Sequence, residues 1–102
     1  MAIQTFCVET ATKYGVHEAV FVARLKELIH SKLEECVYDD GLWWYPCAIY
    51  EWEGEFPFWS ARQVDRVVKS CLSQGLLYRR QYDTDERRRR GWYAIRNNGV
   101  GQ

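Results

Sequence analysis

A chain of 102 residues with 47% apolar and 16% aromatic side chains can build one hydrophobic core, not two, and is far from a disordered composition. The formal net charge of zero conceals a division. Residues 60–102 carry ten basic against four acidic side chains, a formal +6, and residues 1–59 carry four against ten, a formal −6. No apolar run approaches the ~20 residues that span a membrane, and Met1 to Val8 lacks the basic-then-apolar order of a secretory signal, so a cytoplasmic protein is expected.

In chain order, Thr10 to Tyr14 reads as a short helical turn closed by Gly15. The clearest long helix is expected over His17 to about Glu35. Ala19, Val20, Phe21, Val22, Ala23 and Leu25 make its first half apolar on nearly every side, while its second half narrows to Leu28, Ile29 and Leu33. Val16, Phe21, Val22 and Leu25 exceed what one face of a small core needs, so a homodimer through helix 17–35 is expected. Asp39-Asp40-Gly41 is a turn signal leading into Leu42–Tyr45, a short aromatic strand. Pro46 suits the first turn of a following helix, Cys47 to about Glu53, which Gly54 would end.

Glu55 to Trp59 then forms a tight apolar connector. Ser60 is a good N-cap, with Gln63 at capping-box spacing, and Val64, Val67, Val68, Cys71 and Leu72 form one apolar stripe before Gly75 stops the helix. Leu76–Tyr82 and Gly91–Ile95 read as two strands flanking a polar, arginine-rich loop. Residues 97–102 are an expected frayed tail on a domain of residues 1–96. The expected core is Val20, Ala23, Leu28, Ile49, Trp52, Val64, Val67, Val68, Leu72, Leu77, Tyr93 and Ile95.

The fold expected is α+β: a winged helix-turn-helix with three main helices, a small antiparallel sheet and a β-hairpin wing. The sheet would join Leu42–Tyr45 to the hairpin of Leu76–Tyr82 and Gly91–Ile95. A capped helix with one apolar stripe and a basic outer face is the pattern of a recognition helix. Arg62, Gln63 and Arg66 lie near its start, where base edges are met, and Lys69 lies one turn on, suited to a phosphate. The same pattern also describes an ordinary solvated helix face. Arg79 and Arg80 in the first strand, and Arg87, Arg88, Arg89 and Arg90 in the loop, add guanidinium groups that bind phosphate in pairs or enter narrow minor grooves. Alternation along a strand would let two or three of the four touch one duplex. Asp83, Asp85 and Glu86 offset part of that charge.

Trp43, Trp44, Tyr45, Tyr50, Trp52, Phe56, Phe58 and Trp59 cluster in sequence and are expected mostly in the core rather than as stacking platforms for bases. Cys7, Cys36, Cys47 and Cys71 form no CxxC pair, and His17 and His30 fit no ligand spacing, so free thiols are expected and neither a metal site nor a cofactor. No nucleophile elbow or glycine-rich phosphate loop occurs, and no catalytic residue is assigned.

From about Tyr14 to Ile95 the chain resembles the winged-helix domain of phage replication-initiation proteins of the replisome-organiser type. The matching stretches are Gly15-Val16-His17-Glu18-Ala19, Glu51-Trp52, Phe56-Pro57-Phe58-Trp59-Ser60, Leu72-Ser73-Gln74-Gly75-Leu76-Leu77 and Trp92-Tyr93-Ala94-Ile95. Phe56 to Ser60 is the most specific of them. The resemblance implies a recognition helix over Ser60–Ser73, a wing over Tyr82–Gly91, and non-enzymatic binding of double-stranded DNA at a replication origin or operator, with a replication or regulatory protein as a further partner. Two departures stand out. His17 occupies a position where Asn would cap better, and replication initiators carry a second region. The chain is then either part of a longer initiator or a small phage or prophage protein with a regulatory or anti-host role. The alternative function is a protein-interaction module that docks through its acidic, apolar first half.

Overall fold

The computed structural model describes residues 8–81 and 90–96, all but Ile49 to the level of the side chain. Among them are four α-helices, α1 (Val8–Tyr14), α2 (Val16–Ser31), α3 (Ile49–Glu55) and α4 (Ala61–Ser73). Four strands, β1 (Val37–Asp39), β2 (Leu42–Cys47), β3 (Leu77–Arg80) and β4 (Gly91–Ile95), form one antiparallel sheet in the order β1–β2–β4–β3. The expected joining of Leu42–Tyr45 to the later hairpin is present: Tyr45 pairs with Tyr93, and Leu77 pairs with Ile95. Residues 82–89, where a polar loop is expected, and residues 97–102, where a frayed tail is expected, lie outside the described residues, as does Cys7.

Several boundaries differ from expectation for identifiable reasons. The long helix ends at Ser31, and a single 3₁₀ turn, Leu33–Glu35, follows. That tighter turn brings Cys36 against the core and starts β1, a strand too short to show a periodicity. Asp40 (φ 56°) and Gly41 (φ 76°) both take positive φ between β1 and β2, the two-residue hairpin turn whose twist matches the flanking strands. Pro46 does not open a helix; it belongs to β2, opposite Trp92 and beyond the reach of β1, whose pairing ends at Trp44. There its missing N–H disrupts no ladder with β1. Gly54 does not end α3 either. The helix runs one residue further, to Glu55, and stops because Phe56 precedes Pro57 and is disfavoured in the helical region.

Gly75 does stop α4. With φ 77° it supports a Schellman end, in which Leu76 N–H donates to Cys71 O (2.9 Å) and Gly75 N–H to Leu72 O (3.2 Å).

The main core lies between the helices and one face of the sheet. Phe21, Leu25, Trp52, Phe56, Val64 and Cys71 are fully buried there, with Leu28, Val67, Val68, Leu77 and Tyr93 beside them. Of the expected core, Ala23, Leu72 and Ile95 are only half-buried, and the Ile49 side chain lies outside the described atoms. Phe21, Val22 and Leu25 are taken up by the chain's own core, because α4, β2 and β4 all pack on α2. The apolar surplus from which a dimer was expected thus shrinks to the exposed Val16. A second, smaller cluster on the opposite sheet face holds Trp44, Trp92 and Ala94, flanked by Val37 and Leu42.

Candidate nucleic-acid interface

Helix α4 is positioned from both ends. Ser60 Oγ accepts from Gln63 N–H (3.1 Å), and the Schellman turn closes the other end. Val64, Val67, Val68 and Cys71 are buried. Arg62, Arg66, Lys69 and Ser73 are exposed, and their spacing of four, three and four residues places them on one line, within about 60° of helix circumference and opposite the buried stripe. Arg62 and Arg66 make no hydrogen bond or ion pair among the described residues. Lys69 Nζ lies 2.9 Å from Asp65 Oδ2, a pair that is 75% and 46% exposed and so is worth little in water.

Gln63 is turned away from that line. Its side-chain amide lies 3.4 Å from His17 Nδ1 on the flank facing α2. On the same flank Ser70 Oγ–H donates to Glu18 (2.6 Å), and Gln74 Nε2–H donates to Ser70 Oγ (2.9 Å) and to Tyr14 O (3.2 Å).

The three described arginines of the hairpin are each laid against an aromatic ring. Arg79 Nε–H donates to Tyr93 Oη (3.4 Å), and its guanidinium lies 5.9 Å from that ring's centre. Arg90 lies 5.2 Å over Trp92. Arg80, on the opposite face from Arg79, lies 4.5 Å over Trp44 and is held by Asp40 (2.8 Å) and Asp39 (3.3 Å). Arg87, Arg88 and Arg89 lie outside the described residues. Of the ten expected contact residues, Arg62, Arg66 and Lys69 therefore share one open line, Gln63 turns to α2, Arg79 and Arg80 belong to β3, and Arg90 lies just before β4. The engagement of Arg80 by Asp39 and Asp40 had no local signal, since some forty residues separate the partners.

The aromatic connector fixes where α4 begins. Phe56 is buried, stacked on Phe21 (5.4 Å) and on Trp59 (4.8 Å), and Trp59 in turn meets His17 edge-on (5.4 Å). The core expectation therefore holds for Trp44, Tyr45, Trp52 and Phe56, whereas Trp43, Tyr50 and Phe58 are exposed.

Cys36, Cys47 and Cys71 are free. Burial pushes Cys71 up to about 12, with Glu18 adding to it, and burial with Glu35 and Glu34 pushes Cys36 up to about 11. Burial raises Cys47 as well. Burial thus disfavours the thiolate form of all three near neutral pH. Among the described residues no group of three His, Cys, Asp or Glu side chains is placed to hold a metal, and no helix is long and apolar enough to cross a membrane. Comparison with family models, curated proteins and solved structures finds no match to the chain.

Proposed function

We propose that this chain is a winged helix-turn-helix protein that binds double-stranded DNA, with α4 in the major groove and residues 83–90 as a basic wing on the flanking backbone or minor groove. The observation that carries the reading is the line of Arg62, Arg66, Lys69 and Ser73, exposed along the side of α4 opposite its buried stripe. Both of its arginines are uncommitted among the described residues, and a helix so anchored can enter a groove without unpacking. Connectivity supports the same reading: α2, β2, α3, α4, β3 and β4 follow one another, and β4 lies between β2 and β3 in the sheet. Arg62 and Arg66 read base edges, and Lys69 holds a phosphate. The chain's role is binding, not catalysis. The resemblance centred on Phe56 to Ser60 is what points to a phage replication origin or an operator as the duplex.

Titration of a fluorescent duplex at several salt concentrations tests the reading. Binding should weaken linearly in log–log form as salt rises. Absence of binding at low salt would contradict it. A second reading, docking onto a protein partner, is favoured by the exposed Tyr50 (71%), Phe58 (56%) and Val16 (55%) in the acidic half, and it takes over in that event.

A further inference from the structure

Arg80 is the last residue of β3, and its cross-strand partner on β4 is Trp92. Its guanidinium lies over Trp44, 4.5 Å from the ring centre, while Nη1 meets Asp39 Oδ2 at 3.3 Å and Nη2 meets Asp40 Oδ2 at 2.8 Å. Two guanidinium nitrogens, each on a separate anionic oxygen, is the fork by which arginine also takes two oxygens of a phosphate. The β1–β2 hairpin brings the carboxylates there. Its positive-φ turn presents Asp40, and Trp44 Nε1–H donates to Asp39 O at 2.9 Å, so the ring that supports Arg80 also anchors the hairpin.

We propose that Asp39 and Asp40 are a built-in competitor for phosphate at Arg80, so that DNA must displace the hairpin carboxylates to gain this contact. The proposal rests on the duplex-DNA reading above. Arg80, Asp39 and Asp40 side chains are 42%, 50% and 68% exposed, and ion pairs of that exposure are worth little in water. Exchange of two carboxylates for a phosphate is therefore easy in energy, and Trp44 stays under the guanidinium throughout. A groove lined by Leu42, Tyr78 and Arg79 opens beside the pair and leaves room for the incoming group.

Asp39→Asn with Asp40→Asn removes the competing charge and keeps the turn, because Asn tolerates positive φ as well as Asp does. Duplex affinity would be measured over a salt series for the wild type, this double variant, Arg80→Ala, and the triple combination. A charge-matched control, Glu34→Gln with Glu53→Gln, absorbs the general effect of removing two negative charges. The double variant should bind more tightly than that control, with a log–log salt slope at least as steep. Arg80→Ala should abolish the gain in the Asn background and weaken the otherwise wild-type protein by a smaller factor. As a measurement free of substitutions, amide hydrogen exchange at Val37–Asp39 should quicken when the wild type is saturated with duplex. Equal losses from Arg80→Ala in both backgrounds, no gain over the control, or unchanged exchange on saturation would overturn the proposal while leaving the duplex reading intact. Failure of wild type and double variant alike to bind DNA would remove the duplex reading itself.

Discussion

Ser70 Oγ donates a 2.6 Å hydrogen bond to the Glu18 carboxylate, joining the flank of α4 to the first turn of α2 across 52 residues of sequence. Glu18 is only half-exposed and lies in the first turn of α2. Hydrogen bonds to charged groups contribute about 1.5–3 kcal/mol when removal leaves the ion partly unsatisfied. Ser70→Ala is therefore expected to lower the unfolding free energy from urea titration by an amount in that range without changing the slope of the transition, whereas Ser73→Ala, at a solvent-facing position, should cost less. Equal effects of the two would show that the link is not made in solution.

The α4 stripe gives a larger effect. Val68 is 4% exposed and packs in the main core. Val68→Asp would leave an unpaired charge there at a cost of several kcal/mol, comparable with the whole stability of a small domain. The variant should lack a cooperative thermal transition. Val68→Ala, which only trims volume, should retain one at a lower temperature.

Much of this arrangement was legible in the sequence because it depends on local rules. The Ser60 cap, the valine stripe and the Gly75 stop each act within a few residues, and all three appear as expected. Elsewhere tertiary pairing overrode local preference. Pro46 has the local character of a helix start, but strand pairing of Tyr45 and Cys47 with β4 claims it. β1 was invisible because Val37–Asp39 is three residues long and owes its form to the turn at Asp40 and Gly41. Within the candidate site, helical spacing alone placed Arg62, Arg66 and Lys69 on the outer face. It could not tell that Gln63 faces α2 or that Arg80 is held by Asp39 and Asp40, since those partners come from remote segments.

Alkaline stability should expose the buried acids. Burial, reinforced by Glu18, pushes Cys71 from 9.0 to about 12, and burial with Cys47, Glu35, Glu55 and Glu51 pushes Tyr45 from 10.0 to about 12. Both folded values are raised, so the folded state holds more protons than the unfolded one between pH 9 and pH 12. Their contribution is fully present below about pH 9 and is lost as pH climbs through that window. The urea midpoint under reducing conditions should fall from pH 9 upward, and Cys71→Ala should make the fall shallower while costing some stability at pH 7. An unchanged slope in that variant would mean Cys71 is not buried as described.

Positioning and specification should separate between the two basic elements. Changing Arg87, Arg88, Arg89 and Arg90 together to Ala is expected to weaken binding to every duplex alike and to flatten the salt slope by about 0.9 for each phosphate no longer neutralised. Arg62→Ala or Arg66→Ala should instead cost roughly 1–3 kcal/mol on the preferred site and relax sequence preference. Competition titrations with preferred and scrambled duplexes would resolve the two behaviours.

The most direct test removes the exposed line of α4 while leaving its buried stripe alone. Arg62→Ala, Arg66→Ala and Lys69→Ala would be combined in one protein, whose urea midpoint verifies an intact fold. Duplex affinity would then be measured against the wild type at several salt concentrations. The wild type should bind in a salt-dependent manner, and the triple variant should bind the preferred duplex at least tenfold more weakly, with a shallower slope. A folded triple variant that binds as the wild type does, with the same slope, would contradict the assignment of α4 as the DNA-reading helix.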